Sequence, residues 1–190
     1  MSTNYIESKI FSKTNFTAEP LPKGEYENCT FSDCDLSNCD LSGSRFIGCS
    51  FTGCNVSLAK ISNTAFQEVI FKVSKLMGVH FENCNTFLFS IYFDHCTLNL
   101  SSFYKLNLKR SSFRDCALQE VDFTEAYLSG SSFDNCDLEG ALFDHTNLEK
   151  TDFRSAINYT IDPEINRLRK ARFSQAGIAG LLGKYGIVIE

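Results

Sequence analysis

Bulky apolar residues recur at every fifth position through most of this chain. The series begins at Ile6, shifts by two residues after Phe81, resumes at Leu88 and ends at Phe153. All thirty of its positions are apolar, and they hold fifteen of the 18 phenylalanines in the 190 residues. A step of five turns an α-helix through about 500° and alternates between the two faces of a strand, so neither element gathers these residues on one side. A chain that turns a corner every five residues can direct all of them to one shared axis.

Small side chains occupy the positions two residues before the bulky ones. All nine cysteines lie there: Cys29, Cys34, Cys39, Cys49, Cys54, Cys84, Cys96, Cys116 and Cys136. Serine or alanine fills the same position elsewhere, as at Ser44, Ala59 and Ala126. Small residues alternating with large ones are typical of a narrow interior filled by side chains, where cysteine behaves as a small apolar residue. No Cys-x-x-Cys pair occurs, so we expect reduced structural thiols, no bound metal and no cofactor.

The pentads resemble a known repeat. The clearest copies combine a small residue, Asp or Asn, Leu and two variable residues: Cys34–Asn38, Cys39–Gly43, Cys136–Gly140 and Thr146–Lys150. Over residues 4–157 the chain is similar to the pentapeptide-repeat family, which implies an all-β fold, a right-handed quadrilateral β-helix. Cysteines at intervals of twenty, as at Cys96, Cys116 and Cys136, independently indicate four pentads per coil. Thirty pentads then make about 7.5 coils, a rod about 36 Å long.

Two regions are expected, a β-helix over residues 1–160 and a C-terminal cap over 161–190. The two-residue shift predicts a register slip at 82–87, absorbed by a bulge or short loop. In the cap, Asp162-Pro163 is typical of a helix start, an amphipathic spacing predicts a second helix, and 187–189 follows as a short strand. Relatives in the pentapeptide-repeat family dimerise through this end. We therefore expect a homodimer whose interface comprises Ile178, Leu181, Leu182, Tyr185, Ile187, Val188 and Ile189.

Aromatic residues stand at outward positions next to the slip. Phe87, Phe89 and Tyr92 lie where the repeat otherwise exposes polar residues. Two interpretations remain open: these rings repack locally around the slip, or they form an exposed contact patch.

Acidic residues are concentrated in the last third of the repeat. Eight of them occur without any lysine or arginine between: Asp115, Glu120, Asp122, Glu125, Asp134, Asp137, Glu139 and Asp144. These thirty residues rise by roughly 7 Å, over which duplex DNA carries about four phosphates, so the two charge densities are comparable. The alternative is that the acids only keep a repetitive β rod soluble and prevent its strand edges from pairing with other chains. Asp before the bulky residue belongs to the repeat itself, which explains Asp122 and Asp137 without function, whereas Glu120, Glu125, Glu139 and Asp144 are an excess.

Other function classes receive little support. The net charge of -5 argues against direct binding of nucleic acid. No signal peptide and no run of 18 apolar residues is evident, so we expect a cytoplasmic protein that does not enter a membrane. The histidines His80, His95 and His145 fall on separate outward positions without a nucleophile or base at a useful spacing, so no enzyme activity is expected.

Within the family, the chain resembles the small topoisomerase-protecting group, the Qnr-type quinolone-resistance proteins and the McbG-like immunity proteins. Its size, cysteine-bearing inward positions and tail (Ile161–Asn166, then Gly186–Ile189) carry this resemblance. It implies a rod that imitates duplex DNA, binds bacterial DNA gyrase or topoisomerase IV, and protects the enzyme from a quinolone or peptide toxin. Qnr-type proteins have projecting loops, whereas the insertion here is two residues, so a loopless, immunity-like role fits better. The alternative is a scaffold for an unrelated protein partner.

Overall fold

A parallel β-helix accounts for most of the computed structural model, which describes residues 4–188. Its eleven strands are β1 (Asn4–Glu7), β2 (Ile10–Ser12), β3 (Gly24–Glu27), β4 (Thr30–Ser32), β5 (Arg45–Ile47), β6 (Ser50–Thr52), β7 (Ala65–Gln67), β8 (Val69–Lys72), β9 (Ile91–Asp94), β10 (Ser112–Arg114) and β11 (Ser132–Asp134). Three 3₁₀ helices are also present in the described residues: Phe81–Asn83, Ala176–Leu181 and Gly183–Tyr185. The predicted all-β solenoid is confirmed.

Each coil has four sides of five residues. Phe11 pairs with Phe31 and Phe31 with Phe51, so one coil takes twenty residues. In the order in which the chain visits them, side 1 carries β1, β3, β5 and β7, and side 2 carries the other seven strands. On sides 3 and 4, successive coils are joined by isolated parallel bridges, such as that between Asn15 and Asp35 on side 3. The four pentads per coil indicated by the cysteine spacing are confirmed.

The chain turns most of its corners through residues with positive φ, two positions after the bulky residue. After Leu36, for example, Asn38 has φ 57° and donates its backbone N–H to the carbonyl of Ser57 in the next coil (2.9 Å). Glycine and asparagine enter this conformation at little cost, whereas β-branched and other bulky residues are strained there. Val73 takes it nonetheless, at φ 49°, with its side chain exposed.

The bulky residues fill the axis of the rod. Of the thirty positions in the series, 27 are buried; Ile6 and Phe11 are half-buried in the first coil, and Leu88 is exposed. Side 2 contributes phenylalanine in every coil, and neighbouring rings stack with centroids 4.4–5.8 Å apart. The stack comprises Phe11, Phe31, Phe51, Phe71, Phe93, Phe113, Phe133, Phe153 and Phe173. Parallel strands in register place identical side chains directly above one another, and here this produces a continuous aromatic column.

The small inward residues also donate hydrogen bonds, which the interpretation of cysteine as apolar filler did not anticipate. The Sγ of Cys49 donates to the carbonyl oxygen of Tyr26 (3.3 Å), 23 residues earlier, in the preceding coil. The hydroxyl of Thr64 does the same to Leu41 (2.9 Å). Cysteine, serine and threonine can therefore exchange at this position because each is small and carries one donor.

The pairing distance between coils increases by two residues, slightly later along the chain than the slip expected at 82–87. Ala65 still pairs with Asn85 twenty residues on, whereas Val69 pairs with Ile91 at a distance of 22. The two extra residues therefore fall in a loop over 86–90. Leu88 was expected to point inward, which is wrong: its φ is 55° and its side chain is 64% exposed.

The coil continues beyond residue 160, which corrects the expected helix after Asp162-Pro163. Residues 163–165 form a turn, and Arg167 and Arg172 then make parallel bridges to the preceding coil. Asp162 accepts a hydrogen bond from the N–H of Glu164 (2.8 Å), a contact that suits a helix start and an isolated turn alike, so the bridges of Arg167 and Arg172 decide the outcome.

Two 3₁₀ helices, Ala176–Leu181 and Gly183–Tyr185, then cover the end of the rod. Tyr159 packs so closely against the first that a Cβ on Gly180 would lie 2.2 Å from the Tyr159 carbonyl oxygen, so only glycine fits there. Ile187 and Val188 form no strand, and Ile189 lies outside the described residues. None of the described helices has the length and apolar character needed to cross a membrane.

We expect Phe113→Ala to destabilise the protein by about 3–5 kcal/mol, because it removes a fully buried ring from the middle of the aromatic column. The free energy of unfolding from urea titration measures the effect. Phe87→Ala is the matched control, since that ring is 70% exposed. Equal losses from the two substitutions would contradict a column that stabilises the rod.

We expect Val73→Asn to stabilise the protein by about 1 kcal/mol, because asparagine tolerates the positive φ that strains valine. The reverse change, Gly130→Val at φ 74°, should destabilise it by a similar amount; the nearest neighbour of the added Cβ, an Arg110 carbon, is an ordinary 3.7 Å away. Thermal and urea unfolding measure the change in stability of both variants. A loss of stability in Val73→Asn would show that the corner is not strained.

Candidate protein-binding surface

The coil brings six of the eight predicted acidic residues together along sides 3 and 4. We call this set the acidic edge: Glu120, Asp122, Glu125, Asp137, Glu139 and Asp144. The backbone N–H of Glu120 bonds to the carbonyl of Glu139 (2.8 Å), and that of Glu125 bonds to Asp144 (2.8 Å), which places these acids in adjacent coils. The other two, Asp115 and Asp134, lie on side 2 and do not belong to this edge.

Little positive charge offsets the acidic edge. Glu125 pairs with Lys105 (3.4 Å). Among the described residues, the other five acids of the edge have no lysine, arginine or histidine nitrogen within 4.0 Å. Asp137 accepts hydrogen bonds from the side-chain amides of Gln119 (2.7 Å) and Asn158 (2.8 Å), which fix the carboxylate without neutralising it. The edge therefore presents a concentrated negative charge to any partner.

Two acids of the edge also shape the backbone. Asp122 accepts a hydrogen bond from the N–H of Thr124 (2.8 Å), and Asp137 accepts one from that of Glu139 (3.2 Å). Such turns explain why the repeat favours Asp or Asn before the bulky residue. Glu120, Glu139 and Asp144 make no such turn and are exposed, so their charge is the part that local structure does not require.

On side 2, Asp115 belongs to an ion-pair network with Asp94, His95 and Arg114, whereas Asp134 has no cation within 4.0 Å among the described residues. Arg114 binds both carboxylate oxygens of Asp94 (2.9 and 2.6 Å), which holds the pKa of Asp94 well below its usual range. The two ring nitrogens of His95 lie 2.8 Å from Asp94 and 3.6 Å from Asp115. A cation bound by these three residues would have to displace Arg114, so we interpret the group as an internal ion-pair network.

An exposed apolar patch surrounds the slip. Phe87 is 70% exposed, and Leu88, Tyr92 and Ile70 are also exposed, whereas Phe89 is half-buried against the core. Local repacking thus accounts for Phe89 alone, and the remaining side chains form the contact patch of the second interpretation.

The residues predicted as a dimer interface lie together at the C-terminal end. Ile178, Tyr185, Ile187 and Val188 are exposed apolar residues, and Leu181 and Leu182 are half-buried. The segment is anchored by Lys184, whose ammonium lies 2.8 Å from Asp162 and 2.6 Å from Glu164. A dimer through this surface remains a prediction.

A second charged surface lies diagonally opposite, at the junction of sides 1 and 2. We call it the basic edge: Lys109, Arg110, Lys150, Arg167, Arg169 and Lys170. All six side chains are exposed and, within residues 4–188, none lies within 4.0 Å of a carboxylate. This edge was not predicted from the sequence, because Lys109, Arg110 and Lys150 are far from its other cations along the chain. Aligning the sequence in rows of twenty would have revealed the column.

The comparisons with known proteins agree with this architecture. The sequence matches the family model for a pentapeptide repeat region over residues 86–160 and that for pentapeptide repeats in eight copies over residues 29–67. Among solved structures, the plasmid-mediated fluoroquinolone resistance protein QnrB1 is 20% identical, with 97% of this chain and 100% of that chain covered and a TM-score of 0.43. The pentapeptide repeat protein HetL, involved in heterocyst differentiation regulation in the cyanobacterium Nostoc, is 15% identical, with coverages of 90% and 86% and a TM-score of 0.31. No curated protein sequence matches significantly.

The fold is therefore a solenoid of five-residue units wound around an aromatic axis. Together the two family matches span more than half of the chain. The chain belongs to the pentapeptide-repeat family.

Burial lowers the acidity of several thiols inside this axis. All nine cysteines are free and buried. Burial raises the pKa of Cys49 to about 11 and those of Cys54 and Cys84 to about 12, because the interior disfavours the thiolate.

We expect the stability of the protein to fall as the pH rises above about 9. The folded pKa values exceed that of an unfolded thiol, about 8.5, so the unfolded chain releases protons first and alkaline pH favours it. Below the pKa of the unfolded thiols, the contribution of these thiols to stability is fully present. It is lost as the pH rises towards the pKa values of the folded thiols. Urea midpoints at pH 8 and pH 10.5 measure the decline. Cys49→Ala combined with Cys54→Ala should make the decline shallower, and an unchanged slope would contradict the assignment.

Proposed function

We propose that this protein is a non-catalytic binder of bacterial type II topoisomerase, DNA gyrase or topoisomerase IV, which it protects from a quinolone or peptide toxin by imitating duplex DNA. The observation that carries the proposal is the acidic edge. The choice of enzyme follows from the resemblance to the topoisomerase-protecting group described above.

The acidic edge has the charge density that imitation of DNA requires. Six carboxylates lie within the 25 residues from Glu120 to Asp144, which rise by about 6 Å. Duplex DNA carries about four phosphates over the same length. The carboxylates stand on a rod whose core is a continuous aromatic column, so the charges are held in fixed rows and a partner need not order them. Such a surface suits the positively charged groove of a DNA-binding enzyme and speeds association electrostatically.

The exposed patch at the slip favours a second candidate, a scaffold for an unrelated protein. Phe87, Leu88 and Tyr92 are apolar and have no counterpart in a DNA duplex surface. A partner that bound there would depend on apolar contact and respond little to salt.

We expect Glu120, Glu125, Glu139 and Asp144 changed together to lysine, the acid-reversed variant, to bind gyrase at least about tenfold more weakly than the natural protein. These four are chosen because Asp122 and Asp137 close backbone turns whose loss would perturb the fold. Titration of labelled protein with purified gyrase measures binding, and supercoiling assays with and without a quinolone measure protection.

The matched control reverses four acids of the amino-terminal half, Glu7, Glu19, Asp33 and Glu68, and changes the net charge equally. It should retain binding. Equal binding by both variants would end the proposal of an acidic contact. Loss of binding on Phe87→Asp and Tyr92→Asp, with the acid-reversed variant unaffected, would favour the scaffold instead.

A further inference from the structure

The acidic and basic edges centre on diagonally opposite corners of one rod, and at their margins Arg167 and Glu125 line one surface depression. Five acids of the acidic edge and all six cations of the basic edge have no ion-pair partner among the described residues. Glu149 is the one acid facing outward on side 1 between Asn107 and Lys170, so six cations and one acid give the basic edge a net excess of five positive charges. Six acids and Lys105, the partner of Glu125, give the acidic edge an equal excess of negative charge.

Charges of one sign lie in neighbouring coils on both edges. Lys150 and Lys170 occupy the same corner in successive coils, since the backbone N–H of Lys150 bonds to the carbonyl of Arg169 (3.0 Å). Glu120 and Glu139 also come from successive coils, since the backbone N–H of Glu120 bonds to the carbonyl of Glu139 (2.8 Å). Because successive coils lie about 4.8 Å apart, each edge gathers several charges of one sign within a short length of the rod.

We propose that the basic edge is an interaction surface for the acidic edge of a second copy of this chain. Two parallel rods staggered by two coils place Arg167, Arg169 and Lys170 opposite the coil that holds Asp137, Glu139 and Asp144. In the same arrangement Lys150 faces the coil of Glu120 and Asp122. Each contact then joins opposite charges that have no partner within their own molecule.

The symmetry of this contact follows from the position of the edges. Because the two surfaces lie on opposite edges of the rod, a two-fold axis cannot bring both together in one closed pair. The contact is heterologous, and it repeats from copy to copy into an open row. It also covers the acidic edge, so self-association competes with topoisomerase binding; this consequence rests on the proposed function, whereas the association itself does not.

The association is expected to be weak and sensitive to salt, since the charges are exposed and the overall charge is -5. The Debye length is about 30 Å at 0.01 M salt and about 3 Å at 1 M, so the two conditions bracket the effect. Sedimentation velocity at about 0.01 M salt should show a mean mass that increases with concentration beyond that of a dimer. At 1 M salt the mass should return to that of a monomer or of a C-terminal dimer.

Complementary variants make the test specific. A base-reversed variant changes Lys150, Arg167, Arg169 and Lys170 to glutamate, and the acid-reversed variant is the one described above. Each alone should fail to associate because both of its edges carry the same sign. An equimolar mixture should associate again, because one variant is acidic where the other is basic.

A control variant separates position from net charge. Lys13, Lys60, Lys72 and Lys75 are exposed and lie in the amino-terminal half, and changing them to glutamate alters the net charge as much as base reversal does. This control should associate like the natural protein. Undiminished association of the base-reversed variant, or no association in the mixture, would overturn the proposal. So would tight binding of a 20-base-pair duplex to the basic edge without any self-association. None of these measurements involves a topoisomerase, so the outcome is independent of the proposed function.

Discussion

The in-register stacking of one inward side chain on the next is the interaction on which the rest of this structure depends. Side 2 offers a phenylalanine in each coil, and the rings of Phe113 and Phe133 stack 5.0 Å apart with an interplanar angle of 3°. Burial of one such ring contributes a few kcal/mol. The column also fixes the twenty-residue register, because a shift of one residue would replace rings at the axis by polar neighbours. The same register determines which exterior residues lie next to one another in successive coils.

Winding of the coil brings residues that are distant in sequence onto a common surface, so the sequence pattern determines the surface charge. Six of the seven acids between Glu120 and Asp144 are spread over 25 residues of sequence, yet winding gathers them on one edge of the rod. Six of the eight lysines and arginines between Lys109 and Lys170 are spread more widely and still form a single edge. A solenoid thus permits two opposite charge patterns within the same coils, since each side is decorated independently of the axis. Proposals for a topoisomerase contact and for self-association both follow from this separation.

The repeat made the fold predictable, and departures from the repeat were where prediction stopped. The five-residue period and the cysteine spacing were sufficient to predict the four sides, the buried axis and the grouping of six acids. Leu88 was misplaced because a fixed period cannot tell which residues of an irregular loop turn outward. The tail was taken for a helix because Pro163 after Asp162 suits both a helix start and a turn; the decisive contacts, the bridges of Arg167 and Arg172 to the preceding coil, are not encoded locally. The hydrogen-bonding role of the cysteines depends on a carbonyl 23 residues away and needed coordinates.

The position of the slip has a physical reason in the packing of the axis. In the second and third coils, before the slip, the second aromatic residue is on side 1, next to the side 2 column, and Phe46 meets Phe51 edge to face at 5.5 Å. After it, the second ring is on side 4, across the axis, and Phe103 meets Phe113 edge to face at 5.8 Å. In both arrangements the coil contains two rings and two aliphatic side chains, so its cross-section is filled equally. The exchange happens where side 1 offers Thr86 instead of a ring. The loop over 86–90, with its two extra residues, is therefore where the second aromatic ring of the coil moves from side 1 to side 4. The exposure of Phe87 and Leu88 is a consequence of that change.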